Sequence, residues 1–231
     1  MLKMVNIYGI CQSIGFVIVY NVFKYNFLEL FPNLNTNDLG VIVITLILSA
    51  IIGARIMSYA QNDIRFNTIH RIQDGGMSTF GTYYAAVIVA CTISFIYKLD
   101  TIKFCECVML SGTFHSGMVR FGNYFKGELP GKYSNVLGRR HPSQLYQLIG
   151  EGIIMSSILW YFRYTLGQGI IFMITPSVYC VVRFICEIFK EEEGGIPKWF
   201  TKSLHKYIRW AQFQAICLPI VFGVIFLFIK N

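Results

Sequence analysis

Charge is scarce in this sequence. Asp, Glu, Lys and Arg make up 14% of its 231 residues, where a soluble domain carries about a quarter. A chain so poor in charge and 55% hydrophobic cannot clothe a water-facing surface, so a soluble globular fold is excluded. Histidine is scarcer still, with four residues and no cluster. Cys105 and Cys107 form a C-x-C too close for an ordinary bridge, and no second cysteine pair or histidine group completes a metal site. No metal site is expected. The remaining cysteines, Cys11, Cys91, Cys180, Cys186 and Cys217, fall inside apolar runs and read as small buried hydrophobes. There is no internal repeat, which disfavours an inverted-repeat transporter. There is no low-complexity linker, so one domain is expected over 1–231. Acidic residues number 12 against 20 basic ones, a net charge of +8. That balance suits anionic lipid. Nucleic acid, the other usual partner of a basic chain, is not expected, because the Lys and Arg sit in short connections between apolar segments.

What the chain does have is long apolar segments. Seven are visible, at Ile7–Phe23, Leu39–Ala60, Ser78–Tyr97, Phe104–Val119, Ser143–Phe162, Gly169–Phe189 and Phe213–Ile229. A membrane-crossing helix needs about 20 such residues. The expectation is therefore an all-α, polytopic integral membrane protein with about seven transmembrane helices in a lipid bilayer. The first segment has no small-residue cleavage site and reads as a retained helix. The fourth is short and interrupted by Glu106 and His115. Lys198, Lys202, Lys206 and Arg209 recur every three or four residues between Trp199 and Trp210, the pattern of a surface helix with a basic face and interfacial anchors. Seven spans place Gln61–Gly76, Arg120–Pro142 and Lys190–Gln212 on one side with the N-terminus. These connections hold most of the cations, so the positive-inside bias makes that side cytoplasmic.

The polar residues that remain are concentrated. Arg120, Asn123 and Glu128 follow the fourth segment, Arg139, Arg140 and His141 precede the fifth, and Arg183 and Glu187 lie within the sixth. Ionisable groups in or beside a bilayer are costly, and where they occur they usually serve function. A guanidinium grips two phosphate oxygens and stays charged when desolvated, so the pattern points to chemistry on a phospholipid headgroup. Glu187 lies four residues after Arg183, on the same helical face. It either orients the guanidinium or forms a purely structural pair. Gly122 and Gly127 would let backbone N–H groups approach an anion across a turn. Asn123 reads as a headgroup ligand or a turn cap. His141 is held extended by Pro142, as a proton acceptor or a structural residue. Ser143 or Pro142 would start the following helix. Tyr8 reads as a headgroup contact or an interfacial aromatic.

These blocks resemble those of the prolipoprotein diacylglyceryl transferases. Tyr8-Gly9 is similar to the family's first-helix Tyr-Gly, and Gly53-Ala54-Arg55 to its Gly-Gly-Arg. Arg120-Phe121-Gly122-Asn123-Tyr124-Phe125-Lys126-Gly127-Glu128 resembles R-x-G-N-F-x-N-G-E, with Lys126 in place of the Asn. Arg140-His141-Pro142-Ser143-Gln144-Leu145-Tyr146 matches R-H-P-S-Q-L-Y, and Arg183-Phe184-Ile185-Cys186-Glu187-Ile188-Phe189 resembles R-F-x-x-E-x-F. The resemblance implies a seven-helix enzyme of the bacterial inner membrane with its site toward the periplasm, against the positive-inside count. It implies transfer of the diacylglyceryl group of phosphatidylglycerol to the lipobox cysteine of a preprolipoprotein signal peptide, with glycerol phosphate leaving and no metal, nucleotide or other cofactor used. Arg120, Arg183 and His141 are then the candidate catalytic residues. Tyr8, Asn123, Glu128 and Glu187 join the two arginines in binding substrate.

Three departures bear on the activity. Phe80 stands where the family's F-H-G-G pattern has its histidine, and Thr82 where it has the second glycine. Gln147 stands where R-H-P-S-Q-L-Y is usually followed by Glu. A thiol needs help to become the nucleophilic thiolate, and Phe80 cannot accept a proton. Either the arginines alone favour the thiolate, or His115 or His141 takes the histidine's place, or the chain is a divergent paralogue that binds anionic lipid or lipoprotein precursor without turnover.

Overall fold

The computed structural model describes residues 7–34, 36–61, 66–68, 70, 77–191 and 209–230. The helices are α1 (Ile7–Leu30), α2 (Thr36–Ala60), α3 (Thr79–Tyr97) and α4 (Thr101–Lys126). A hairpin follows, with β1 (Tyr133–Ser134) antiparallel to β2 (Arg139–Arg140). Then come α5 (Ser143–Gln147), a π-helical segment (Leu148–Ile154), α6 (Met155–Phe162), α7 (Ile170–Phe189) and α8 (Trp210–Lys230). The all-α membrane architecture expected from the sequence is what forms. Large apolar side chains cover its outside, including Val17, Ile44, Ile88, Phe95 and Phe228. In water that surface would be untenable; against acyl chains it is the solvated face.

Among the described residues, five helices are individually long and apolar enough to cross a membrane: α1, α2, α3, α7 and α8. The other two expected segments differ for identifiable reasons. The fourth does not end at Val119. It continues as α4 through Arg120 and Asn123 to Lys126, because Arg120 and Asn123 face the protein interior. The fifth is a continuous helical path broken into α5, the π segment and α6. The surface helix expected around Trp199 lies outside the described residues.

Helix α4 is the hub. It packs against α1, α3, α5, the π segment, α6, α7 and α8. Asp100 caps its start by accepting from the Lys103 N–H at 3.1 Å. Gly127 ends it at φ 71°, a left-handed conformation that glycine adopts without strain. Two contacts between small residues set the spacing, as is usual where lipid gives no hydrophobic drive between helices. Gly53 of α2 and Gly81 of α3 meet backbone to backbone, so a Cβ on either would strike the other's carbonyl. Gly117 of α4 meets Gly152 of the π segment in the same way; a Cβ on Gly117 would come within 2.7 Å of the Gly152 Cα. At the far end of the bundle, Glu106 of α4 accepts from the Gly169 and Ile171 N–H groups at 2.7 and 3.1 Å, capping α7 from a neighbouring helix. All seven cysteines are free thiols; five are buried, and Cys91 and Cys217 are half-buried.

The N-terminal end of α1, the C-terminal ends of α4 and α7, the start of α5 and the hairpin share one polar end of the bundle. The Lys126 ammonium lies 5.2 Å from the Tyr8 ring centre. The Lys132 N–H donates to the Phe189 carbonyl and the Glu191 N–H to that of Pro130. Arg209 donates to the Glu187 and Lys190 carbonyls at 2.7 and 2.8 Å, a cationic cap on the last turn of α7.

Candidate active site

The Gly117–Gly152 contact puts the next turn of α4 directly against the π segment. Arg120 is 4% exposed. Its Nε donates to Oε2 of Glu151 at 3.3 Å and its Nη2 to Thr79 of α3 at 3.4 Å. Ser116, one turn earlier, donates to the same Glu151 oxygen at 3.2 Å. A further turn down, Ser156 of α6 donates to Thr113 at 2.8 Å. A line of polar groups therefore runs along the inner face of α4 through an otherwise apolar core.

Glu151 was not singled out in the sequence, although it is fully buried at 0% exposure. It sits in Leu-Ile-Gly-Glu-Gly-Ile-Ile, where hydropathy registers one polar residue in an apolar run. The available signal was that an acid in such a run requires a cation. The π turn gives it its direction, since widening the helix shifts every later side chain around the axis.

Arg183 of α7 has its side chain 11% exposed and pairs with Glu187 at 3.7 Å. Glu187 also lies 3.9 Å from Arg209. The i, i+4 pair expected from the sequence is thus present and extended by a third charge. Tyr179 of α7 is fully buried. It lies within electrostatic reach of Glu151, Arg183 and Arg120, and beside Thr79. Phe80 packs edge-on against Tyr179 with ring centres 6.1 Å apart. The position where the resemblance places a histidine therefore faces the same interior as the arginines.

Several expected site residues lie elsewhere or act differently. Gly122 is not part of an anion-binding turn. It is helical, and its missing side chain makes room for Tyr8, whose ring a Cβ there would meet at 2.9 Å. Asn123 is 5% exposed on the last turns of α4. Its carbonyl accepts from the Glu128 N–H. Glu128 lies beyond the helix and pairs at 2.6 Å with Lys126, both about 40% exposed. Lys126, a departure from the family pattern, thus has a local partner.

The R-H-P-S-Q-L-Y block is a junction rather than part of the arginine cluster. His141 Nδ1 lies 3.2 Å from the Tyr146 hydroxyl, and its ring packs on Phe189 with centres 5.1 Å apart. Pro142 occupies the N-cap position of α5, and Ser143 does not cap the helix. Its hydroxyl donates to the Leu129 carbonyl at 3.0 Å, and Gln144 donates to that of Glu128 at 2.5 Å. Arg140 donates to the Gly131 carbonyl and to Glu191. The block grips the chain leaving α4. Beside it lies a cleft of about 350 Å³ bordered by Tyr124, Arg139, His141 and Leu145. His115, the other proposed substitute, stacks on Phe16 of α1 with ring centres 4.6 Å apart. It points to the α1 side of α4, whereas Ser116 and Arg120 point to the π segment. Neither histidine makes a described contact with Arg120 or Arg183. Gln147 is buried at the foot of α5. Arg55 is 4% exposed and donates to the Thr68 carbonyl at 2.7 Å, holding the short turn after α2.

Comparison with known proteins decides the family. The model described as "Prolipoprotein diacylglyceryl transferase" matches residues 2–229. The chain belongs to the prolipoprotein diacylglyceryl transferase family. A phosphatidylglycerol–prolipoprotein diacylglyceryl transferase of Campylobacter jejuni is 29% identical over 212 residues, covering 82% of this chain and 78% of the relative. A protein of the same name from Geobacter sulfurreducens is 23% identical over 205 residues, covering 82% and 79%. One from Mannheimia succiniciproducens is 28% identical over 147 residues, covering 59% and 55%. Within this diacylglyceryl transferase chain, Arg120 and Arg183 come from two different helices, α4 and α7, and Tyr179 lies within electrostatic reach of both.

Proposed function

We propose that this chain, as one transferase domain in the bacterial inner membrane, transfers the diacylglyceryl group of phosphatidylglycerol to the lipobox cysteine of preprolipoproteins. The observation that carries this reading is Arg120. A guanidinium 4% exposed at the α4–π contact, with the Arg183 side chain 11% exposed on α7, provides fixed positive charge at low dielectric in a family that acts on a phospholipid.

The chemistry needs that charge. The cysteine sulfur attacks the glyceryl carbon next to the phosphate. A C–S bond forms, the C–O bond to phosphate breaks, and its electron pair leaves on glycerol phosphate. Negative charge therefore grows on the phosphate oxygens. Preorganised cations stabilise it more in the transition state than in the ground state. Arg120 and Arg183 take the phosphate, and Glu187 holds Arg183. Tyr8 and Asn123, at the polar end of α1 and α4, face the headgroup glycerol. Glu128 and His141 shape the rim. The polar end faces the periplasm, where its cations meet lipid phosphate and the precursor's cysteine arrives.

The test is mass spectrometry of a lipobox peptide incubated with the purified protein and phosphatidylglycerol. A diacylglyceryl increment on the thiol, with glycerol phosphate released, is expected. Arg183→Ala should lower the yield by at least ~100-fold, the usual loss when one such charge-stabilising group is removed. Unchanged yield in that variant would take Arg183 out of the site. Lipid binding without any increment from the unaltered protein would instead make it a binding protein.

A further inference from the structure

We propose that Glu151 is the counterion that Arg120 exchanges for the lipid phosphate, and the group that then takes the proton of the attacking thiol. This rests on the transferase reading and supplies the proton acceptor that Phe80 cannot be.

Three observations converge on Glu151. It is fully buried and its contacts are one-sided. Oε2 accepts from Arg120 and Ser116, while Oε1 is buried with no hydrogen-bond partner among the described residues. Its surroundings are also incompletely bonded. Gln147 Nε2, one turn earlier on the same helical path, is buried and likewise without a partner among the described residues. Buried polar atoms are rarely left unbonded, and a polar substrate would complete such a set. Finally, the alternatives point elsewhere: His115 stacks on α1, and His141 is engaged with Tyr146. The charged and titratable groups within electrostatic range of Glu151 are Arg120 from α4, Tyr83 from α3, and Tyr179, Cys180 and Cys186 from α7.

The exchange follows from electrostatics. The lipid phosphodiester, a monoanion that gains a second charge as the C–O bond breaks, competes with Glu151 for the Arg120 fork, and bidentate phosphate is its better partner. A carboxylate stripped of its cation in a dry interior holds an uncompensated charge. Accepting the thiol proton removes that charge and generates the thiolate at the same moment. Sulfur bonds to the glyceryl carbon, the C–O bond breaks, and glycerol phosphate departs. The proton on Glu151 leaves to solvent as Arg120 returns to it.

The experiment uses the full chain in phosphatidylglycerol nanodiscs with two lipobox peptides, one carrying cysteine and one selenocysteine at the acceptor position. A selenol ionises at neutral pH without a base. Glu151→Gln keeps size and hydrogen bonding but not basicity. It should lower thioether formation on the cysteine peptide by ~100-fold or more, the scale of general-base catalysis. Its rate should then track the thiolate fraction of the peptide as pH rises. The selenocysteine peptide should restore turnover to within several-fold of the unaltered protein. Glu151→Asp, which keeps a carboxylate, should be slower yet retain the original pH profile, and it carries the test if the Gln variant does not fold. Equal loss on both peptides would overturn the proposal and leave Glu151 as a positioning residue for Arg120. Full activity of Glu151→Gln on cysteine would overturn it outright. An unaltered protein that makes no product on either peptide would sink the transferase reading itself, a result distinguishable from both.

Discussion

The Arg120–Glu151 pair makes a prediction about stability that is independent of turnover. Both side chains are nearly inaccessible, 5% and 0% exposed. Removing one partner leaves the other charged and buried, at a cost of about 3–5 kcal/mol. Arg120→Met should therefore destabilise the protein by that amount, with about 1 kcal/mol more if Ser116 loses its acceptor as Glu151 shifts. Glu151→Met should cost a similar amount by stranding the guanidinium. Replacing both at once removes two desolvated charges and returns apolar volume, which is often neutral or stabilising. The double variant should fall within about 2 kcal/mol of the unaltered protein, giving a coupling energy of several kcal/mol. The assay is reversible denaturation in mixed micelles, read by far-ultraviolet circular dichroism, with the four proteins compared in one cycle. If the double variant is as destabilised as the sum of the singles, the two residues do not compensate each other and the buried pair is not what the geometry indicates. All three variants should be inactive as transferases.

Two further outcomes follow. Phe80→His places an imidazole beside Tyr179 and within the arginine-lined interior. It should partly restore thioether formation to Glu151→Gln, read by the same peptide mass spectrometry; no recovery would mean that position 80 does not reach the reacting thiol. Gly81→Ala drives a methyl into the Gly53 carbonyl across the α2–α3 contact, and overpacking of this kind costs about 1–3 kcal/mol. A denaturation midpoint equal to that of the unaltered protein would show that the two helices separate freely there.

The sequence was sufficient for the fold class because lipid imposes a single rule. Apolar runs of the right length must be helices, since no other backbone satisfies itself in hydrocarbon. Arg120 and Arg183 were legible for the same reason, being charges where charge is expensive. The pairing of Arg183 with Glu187 was legible because helical geometry brings i and i+4 together. The extent of α4 was not. Apolarity stops at Val119, yet the helix runs on to Lys126 because its polar face is covered by α1 and the π segment. Nor was the role of the R-H-P-S-Q-L-Y block legible. Its side chains bind main-chain carbonyls of residues 128, 129 and 131, and no one-dimensional pattern tells a residue that binds a ligand from one that binds its own backbone.

By itself, then, the sequence determined a helical membrane protein of this family and singled out two arginines as candidates for the phosphate. Hydropathy, local periodicity and motif order are all properties of the chain read in one dimension. Tertiary structure alone decided what those arginines face. The glycine contact at Gly117 and Gly152 and the π turn at Leu148–Ile154 together bring Glu151 to Arg120, 31 residues away. The packing of α4 sends His115 toward α1 and away from the cluster. These are outcomes of how close two helices come and how one of them is wound, and both depend on every neighbour in the bundle.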